Sequence, residues 1–128
     1  ASEKMAEAMK ANFEAELEKM KQIEKDREKY ICNRQQLESQ LTENKLVKEE
    51  LSLLEDDAKV YKLIGAVLVN QELAEARANV DKRIEYITAE LKRVEDGLTD
   101  VASKQSAQRD KLVGLQEKLK SALSAGGG

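Results

Sequence analysis

Between Val60 and Gln71 the chain reads Val-Tyr-Lys-Leu-Ile-Gly-Ala-Val-Leu-Val-Asn-Gln, and a helical stripe cannot accommodate it. Its apolar residues stand side by side instead of recurring every three or four positions. Val, Ile, Leu and Tyr dominate, with one Gly at the centre, so the stretch predicts two short strands meeting at Gly65-Ala66. The sequence on either side favours helix: Ala, Glu, Lys, Leu, Gln and Arg predominate, and the absence of Pro removes the commonest cause of termination. The expected fold is mainly α, an antiparallel two-helix coiled coil joined by a single β-hairpin. As a single unit it places helix over 3–56, hairpin over 59–71, helix over 72–123 and a flexible tail over 124–128.

The first helix carries an interrupted heptad seam. One set of positions holds Met9, Glu16, Ile23, Tyr30, Leu37, Asn44 and Leu51; the other holds Ala6, Phe13, Met20, Arg27, Arg34, Leu41 and Lys48. The long basic residues can lay their stems along apolar neighbours while keeping the charge in water. Glu55-Asp56-Asp57 is unfavourable at the negative end of a helix dipole and marks the exit. The second helix is cleaner, stepping by four and three through Val80, Ile84, Ile87, Leu91, Val94, Leu98, Val101, Gln105, Gln108, Leu112, Leu115, Leu119 and Ala122. Glu72 and Glu75 suit its positive start. Folding back about Gly65 pairs residues whose numbers sum to about 130, with helices about 75 Å long. Tyr30 then faces Val101, and Arg27 falls into a polar layer with Gln105 and Gln108. Gly97 and Gly114 interrupt the second helix and are expected to loosen it.

Charge narrows the range of functions. The net charge is -3 with both signs interspersed, so no basic face follows a phosphate backbone and nucleic acid is not expected as a partner. No apolar run is long enough to span a bilayer, and Ala1-Ser2-Glu3-Lys4 does not begin a signal peptide, so a cytoplasmic protein is expected. Cys32 is alone and reads as a reduced thiol. With no His, no nucleophile motif and no phosphate-cradling loop, the sequence suggests neither an enzyme nor a cofactor or metal site.

A lone hairpin is barely stable in water, its edges carry unpaired backbone groups, and Val and Leu would be exposed on its faces. The chain has no other strands to offer. Val60, Tyr61, Leu63, Ile64, Gly65, Val67, Leu68 and Val69 therefore form the candidate assembly surface, with the missing strands supplied by other chains. A second candidate lies where the helix ends meet. Met5, Met9, Phe13, Leu17 and Met20 converge with Leu112, Leu115, Leu119 and Leu123, and flexible, polarisable Met suits a surface that accepts many apolar shapes. An ordinary frayed seam is the competing reading of these residues.

Gln40-Leu41-Thr42-Glu43-Asn44-Lys45-Leu46-Val47-Lys48-Glu49-Glu50-Leu51, Val60-Tyr61-Lys62-Leu63-Ile64-Gly65, and Val67-Leu68-Val69 running on to Ile84-Glu85-Tyr86-Ile87 together resemble the beta-class prefoldin subunits. The resemblance extends from about Leu37 to Leu119 and departs at Ala66, where the eukaryotic members it most resembles usually have Pro. It implies a heterohexamer of alpha- and beta-class subunits whose hairpins join into a double β-barrel platform carrying coiled-coil arms. It also implies arm tips that capture unfolded actin and tubulin and deliver them to the cytosolic group II chaperonin without ATP. A structural coiled-coil adaptor or tether is the alternative, and it leaves the apolar hairpin unexplained.

Overall fold

The computed structural model describes residues 2–126, in the order α1 (Ser2–Ser52), β1 (Val60–Ile64), β2 (Val67–Gln71) and α2 (Leu73–Gly126). These elements contribute to two compact units, one built from residues up to Ile31 with those from Asp96 onward, the other from Cys32–Glu95. The mainly α, helix–hairpin–helix fold expected from sequence is the fold observed.

In the Cys32–Glu95 unit, β1 and β2 pair antiparallel with Val60 opposite Gln71, Tyr61 opposite Asn70, Lys62 opposite Val69, Leu63 opposite Leu68 and Ile64 opposite Val67. Gly65 makes the turn with φ 60, while Ala66 stays at negative φ. That sign pattern is a type II′ turn, which demands Gly first and matches the strands' right-handed twist. Because side chains alternate, Val60, Lys62, Ile64, Val67, Val69 and Gln71 share one face and Tyr61, Leu63, Leu68 and Asn70 the other. Below the hairpin, Leu51 from α1 packs with Leu73, Ala76 and Val80 from α2, and Val60 and Ile84 close over them. Val80, only 2% exposed, is the centre of this core. Val60 therefore ties the sheet to the helices, with each buried aliphatic worth roughly 1.5–3 kcal/mol.

The start of α2 lies where the carboxylates predict it. The Glu72 backbone carbonyl accepts the amide of Ala76 at 2.9 Å, the first helical bond, and Glu75 occupies the first turn. The end of α1 falls earlier than residue 56. Its last turn tightens, with Leu53 and Leu54 amides bonding to the Glu50 and Leu51 carbonyls. Arg77 of α2 then donates through Nε (3.2 Å) and Nη2 (2.9 Å) to Leu51 O and through Nη2 to Leu54 O (3.1 Å). A guanidinium from α2 thus takes the carbonyl that a continuing α1 would have used. Glu55-Asp56-Asp57 lie in the connecting turn, where Asp56 is 3.9 Å from Arg77. At the other boundary α2 runs past Leu123 through Ser124 and Ala125 to Gly126. No stop signal intervenes there, and Gly is only about 1 kcal/mol poorer than Ala in a helix. Gly127 and Gly128, the rest of the expected tail, lie outside the described residues.

In the other unit the helix segments also run antiparallel. Met20 and Val101 are buried, and Phe13, Ile23, Tyr30, Leu98, Leu112, Leu115 and Leu119 are half-buried along the seam. Arg27 lies outside the seam and is exposed, since neighbouring Asp26 takes the half-buried position. Tyr30 meets Gly97, one turn from the expected Val101. A Cβ placed on Gly97 would lie 2.5 Å from Tyr30 Cε1 and 2.6 Å from Cζ, so the missing side chain is the space the ring occupies. Gly97 is a socket for an aromatic ring, in contrast to Gly114, which has open space around it.

Candidate functional site

The hairpin leaves its apolar side chains uncovered. Tyr61, Leu63, Ile64, Val67, Leu68 and Val69 are 43–67% exposed, and they lie on both faces of a sheet with two free edges. A covered sheet buries such residues on at least one face. Here Val60 alone of the candidate assembly residues packs into the core, because its strand end abuts α2. Gly65 has no atom within 4 Å of the Cβ it lacks, so its role is the positive φ of the turn. Strand-forming residues without a second layer keep this sheet as the candidate surface for contact with another chain.

In the unit containing both chain ends, Ala6, Phe13 and Leu17 of α1 and Leu119 and Leu123 of α2 line an open apolar groove of about 560 Å³, edged by Glu7, Lys10 and Glu14. Met5 and Leu123 stand 63% and 59% exposed beside half-buried Met9 and Phe13. Of the candidate tip residues, the groove brings together Phe13, Leu17, Leu119 and Leu123. Leu112 and Leu115 are half-buried further along the seam, and Met20, 8% exposed, is enclosed within it.

Sequence reasoning missed what lies just inside this groove. Glu16 occupies a seam position and is 5% exposed. Gln108 Nε2 donates to both the Glu16 backbone carbonyl and Oε2 at 2.8 Å, while Lys111 and Lys19 ammonium groups each stand 3.1 Å from Oε1. The Gln108 hydrogen bond, then those of Lys111 and Lys19, hold the carboxyl well below its usual range, at about 2. No buried side-chain polar atom among the described residues lacks a partner. A buried polar layer of this kind is the sort of feature that can fix the register of two packed helices. The sequence carries part of the signal, since Glu16 and Gln108 are polar residues at seam positions of the two helices, but the expected register puts Gln108 in a layer with Arg27 and Gln105, away from Glu16.

No described helix is long and apolar enough to cross a membrane.

The prefoldin subunit family model matches residues 14–121 of the chain. The probable prefoldin subunit 6 of Caenorhabditis elegans is 55% identical over 107 residues, covering 84% of this chain and 85% of that protein. Prefoldin subunit 6 of Homo sapiens is 49% identical over 124 residues, covering 97% and 96%. Among solved structures, the crystal structure of the prefoldin beta subunit from Thermococcus strain KS-1 aligns with a TM-score of 0.60 at 26% identity, covering 88% of this chain and 92% of that one.

Proposed function

Because the chain belongs to the prefoldin subunit family, we propose that it acts as one subunit of a heterohexameric, ATP-independent co-chaperone of the cytoplasm. Membership makes it a chaperone component that assembles with other prefoldin subunits. In the proposed activity its hairpin joins alpha- and beta-class partners in a double β-barrel platform. Its tip residues contribute to holding unfolded polypeptides of the actin and tubulin type for transfer to the group II chaperonin.

The observation that carries the reading is the uncovered hairpin. Six large apolar side chains on a two-stranded sheet have no cover within the described chain. Burial against neighbouring strands would remove each from water at roughly 25 cal/mol per Å² while pairing the open edges. The groove at Phe13, Leu17, Leu119 and Leu123 supports the client-holding half, since it is apolar and open.

Two measurements test the two halves. Native mass spectrometry of complexes co-purified with a tagged chain should give six small subunits, and Val67→Asp with Val69→Asp should abolish that mass while leaving helix content, since each places a charge on a surface destined for burial. Retention of the complex would remove the platform assignment. Removing the first twelve residues and the last fifteen should leave the hexamer intact but weaken suppression of unfolded actin aggregation. Undiminished suppression would refute the tip assignment.

A further inference from the structure

Where the hairpin meets the helices, the Cys32–Glu95 unit contains a second groove, of about 490 Å³. Its floor is apolar: Leu51 and Val80 are buried and Val60 half-buried. Its rim is cationic, with exposed Lys62 from β1 and Lys82 and Arg83 from α2. No carboxylate lines it; the remaining residues with polar groups are Tyr61, Gln71 and Asn79. Among the described residues none of the three cations forms an ion pair or hydrogen bond, although Lys48 is 2.9 Å from Asp81 and Arg77 reaches Asp56 nearby.

We propose that this groove is a partner-selecting socket, which receives from a neighbouring prefoldin subunit a segment that alternates apolar side chains with carboxylates. The inference rests on the platform reading and specifies which chemistry the hairpin's neighbour must bring. Three consecutive β1 residues, Val60, Tyr61 and Lys62, line the groove, so a segment seated there lies against the strand that assembly is proposed to cover. An apolar occupant without carboxylates fills the floor but shields Lys62, Lys82 and Arg83 from water with no compensating charge, which is costly. A basic occupant is repelled. An acidic-apolar occupant satisfies floor and rim together, speeds encounter and rejects neighbours of the wrong charge.

The experiment uses the full chain co-expressed with its alpha- and beta-class partners. A carbodiimide, which joins a lysine amine to a carboxylate in direct contact, should link Lys62 or Lys82 to an Asp or Glu of a neighbouring subunit in the purified hexamer. Lys82→Glu with Arg83→Glu should lower incorporation in competition with the unaltered chain about tenfold at physiological salt, with the deficit shrinking as salt rises. Lys82→Gln with Arg83→Gln should fall between. Equal incorporation of the charge-reversed chain, or the absence of inter-subunit links at both lysines, would overturn the socket. The Val67→Asp, Val69→Asp chain run in parallel separates the two failures: if it too assembles, the platform reading has failed; if it is excluded while the charge-reversed chain is accepted, only the socket has.

Discussion

Gly97→Ala and Gly114→Ala are the same chemical change in the same helix, and the structure gives them opposite outcomes. Each replaces Gly by the best helix former, a gain of about 1 kcal/mol in an exposed helix interior. At Gly114 nothing lies within 4 Å of the new methyl group, so the full gain should appear. At Gly97 the methyl group would stand 2.5 Å from Tyr30 Cε1. Carbon atoms pack at about 3.5–4.0 Å, so the ring must retreat by about 1 Å. Overpacking of that kind costs about 1–3 kcal/mol. Gly97→Ala should therefore range from neutral to about 2 kcal/mol destabilising, some 1–3 kcal/mol below Gly114→Ala. At about 4 °C per kcal/mol for a chain of this size, the two melting temperatures should differ by roughly 4–12 °C. Thermal melts followed by ellipticity, at one chain concentration, measure this. Tyr30→Ala should make the Gly97→Ala step favourable again, with a coupling of about 1–3 kcal/mol. If Gly97→Ala stabilises as much as Gly114→Ala, the ring moves without cost and the socket reasoning is wrong.

The Glu16 carboxyl titrates at about 2 in the folded chain against an ordinary 4.5. Its stabilising contribution is thus complete above about pH 4.5 and is lost as pH falls towards 2; Glu16→Gln should flatten the acid limb of a melting-temperature profile between these values. Arg77→Ala removes the donors to Leu51 O and Leu54 O; a loss of about 1–2 kcal/mol is expected, with faster amide exchange confined to the last turn of α1 and the hairpin base. Val80→Ala deletes two methyl groups from the centre of the Leu51–Leu73–Ala76 core; about 2 kcal/mol should be lost in chemical denaturation.

Glu16 and Arg77 share a logic that the exposed ion pairs lack. Lys21 with Glu18 on α1 and Lys104 with Asp100 on α2 are solvated pairs, each within its own helix, and contribute little. The layer around Glu16 and the clasp of Arg77 each join α1 to α2 within one unit, and each satisfies backbone carbonyls as well as charge. Contacts of this kind can fix which turns of two packed helices face each other, a task that apolar seam residues perform with little specificity.

The sequence by itself determined the elements. Strand-forming residues around Gly65 dictate a hairpin because only Gly adopts the turn's positive φ without cost, and the four-three spacing from Val80 to Ala122 dictates one apolar face of a helix. The candidate assembly surface was legible for the same reason: six apolar residues in ten positions have nowhere in a two-helix chain to be buried. What only the tertiary structure decided depends on groups distant along the chain. α1 stops at Ser52 because Arg77 replaces its next donor, Gly97 is kept open for the ring of Tyr30, and Glu16 is a buried anion because Gln108 and Lys111 reach it. The cationic rim likewise brings Lys62 beside Lys82 and Arg83. Local propensity and periodicity are properties of neighbours in sequence, whereas a hydrogen-bond partner or a steric contact exists only after the second helix has come back alongside the first.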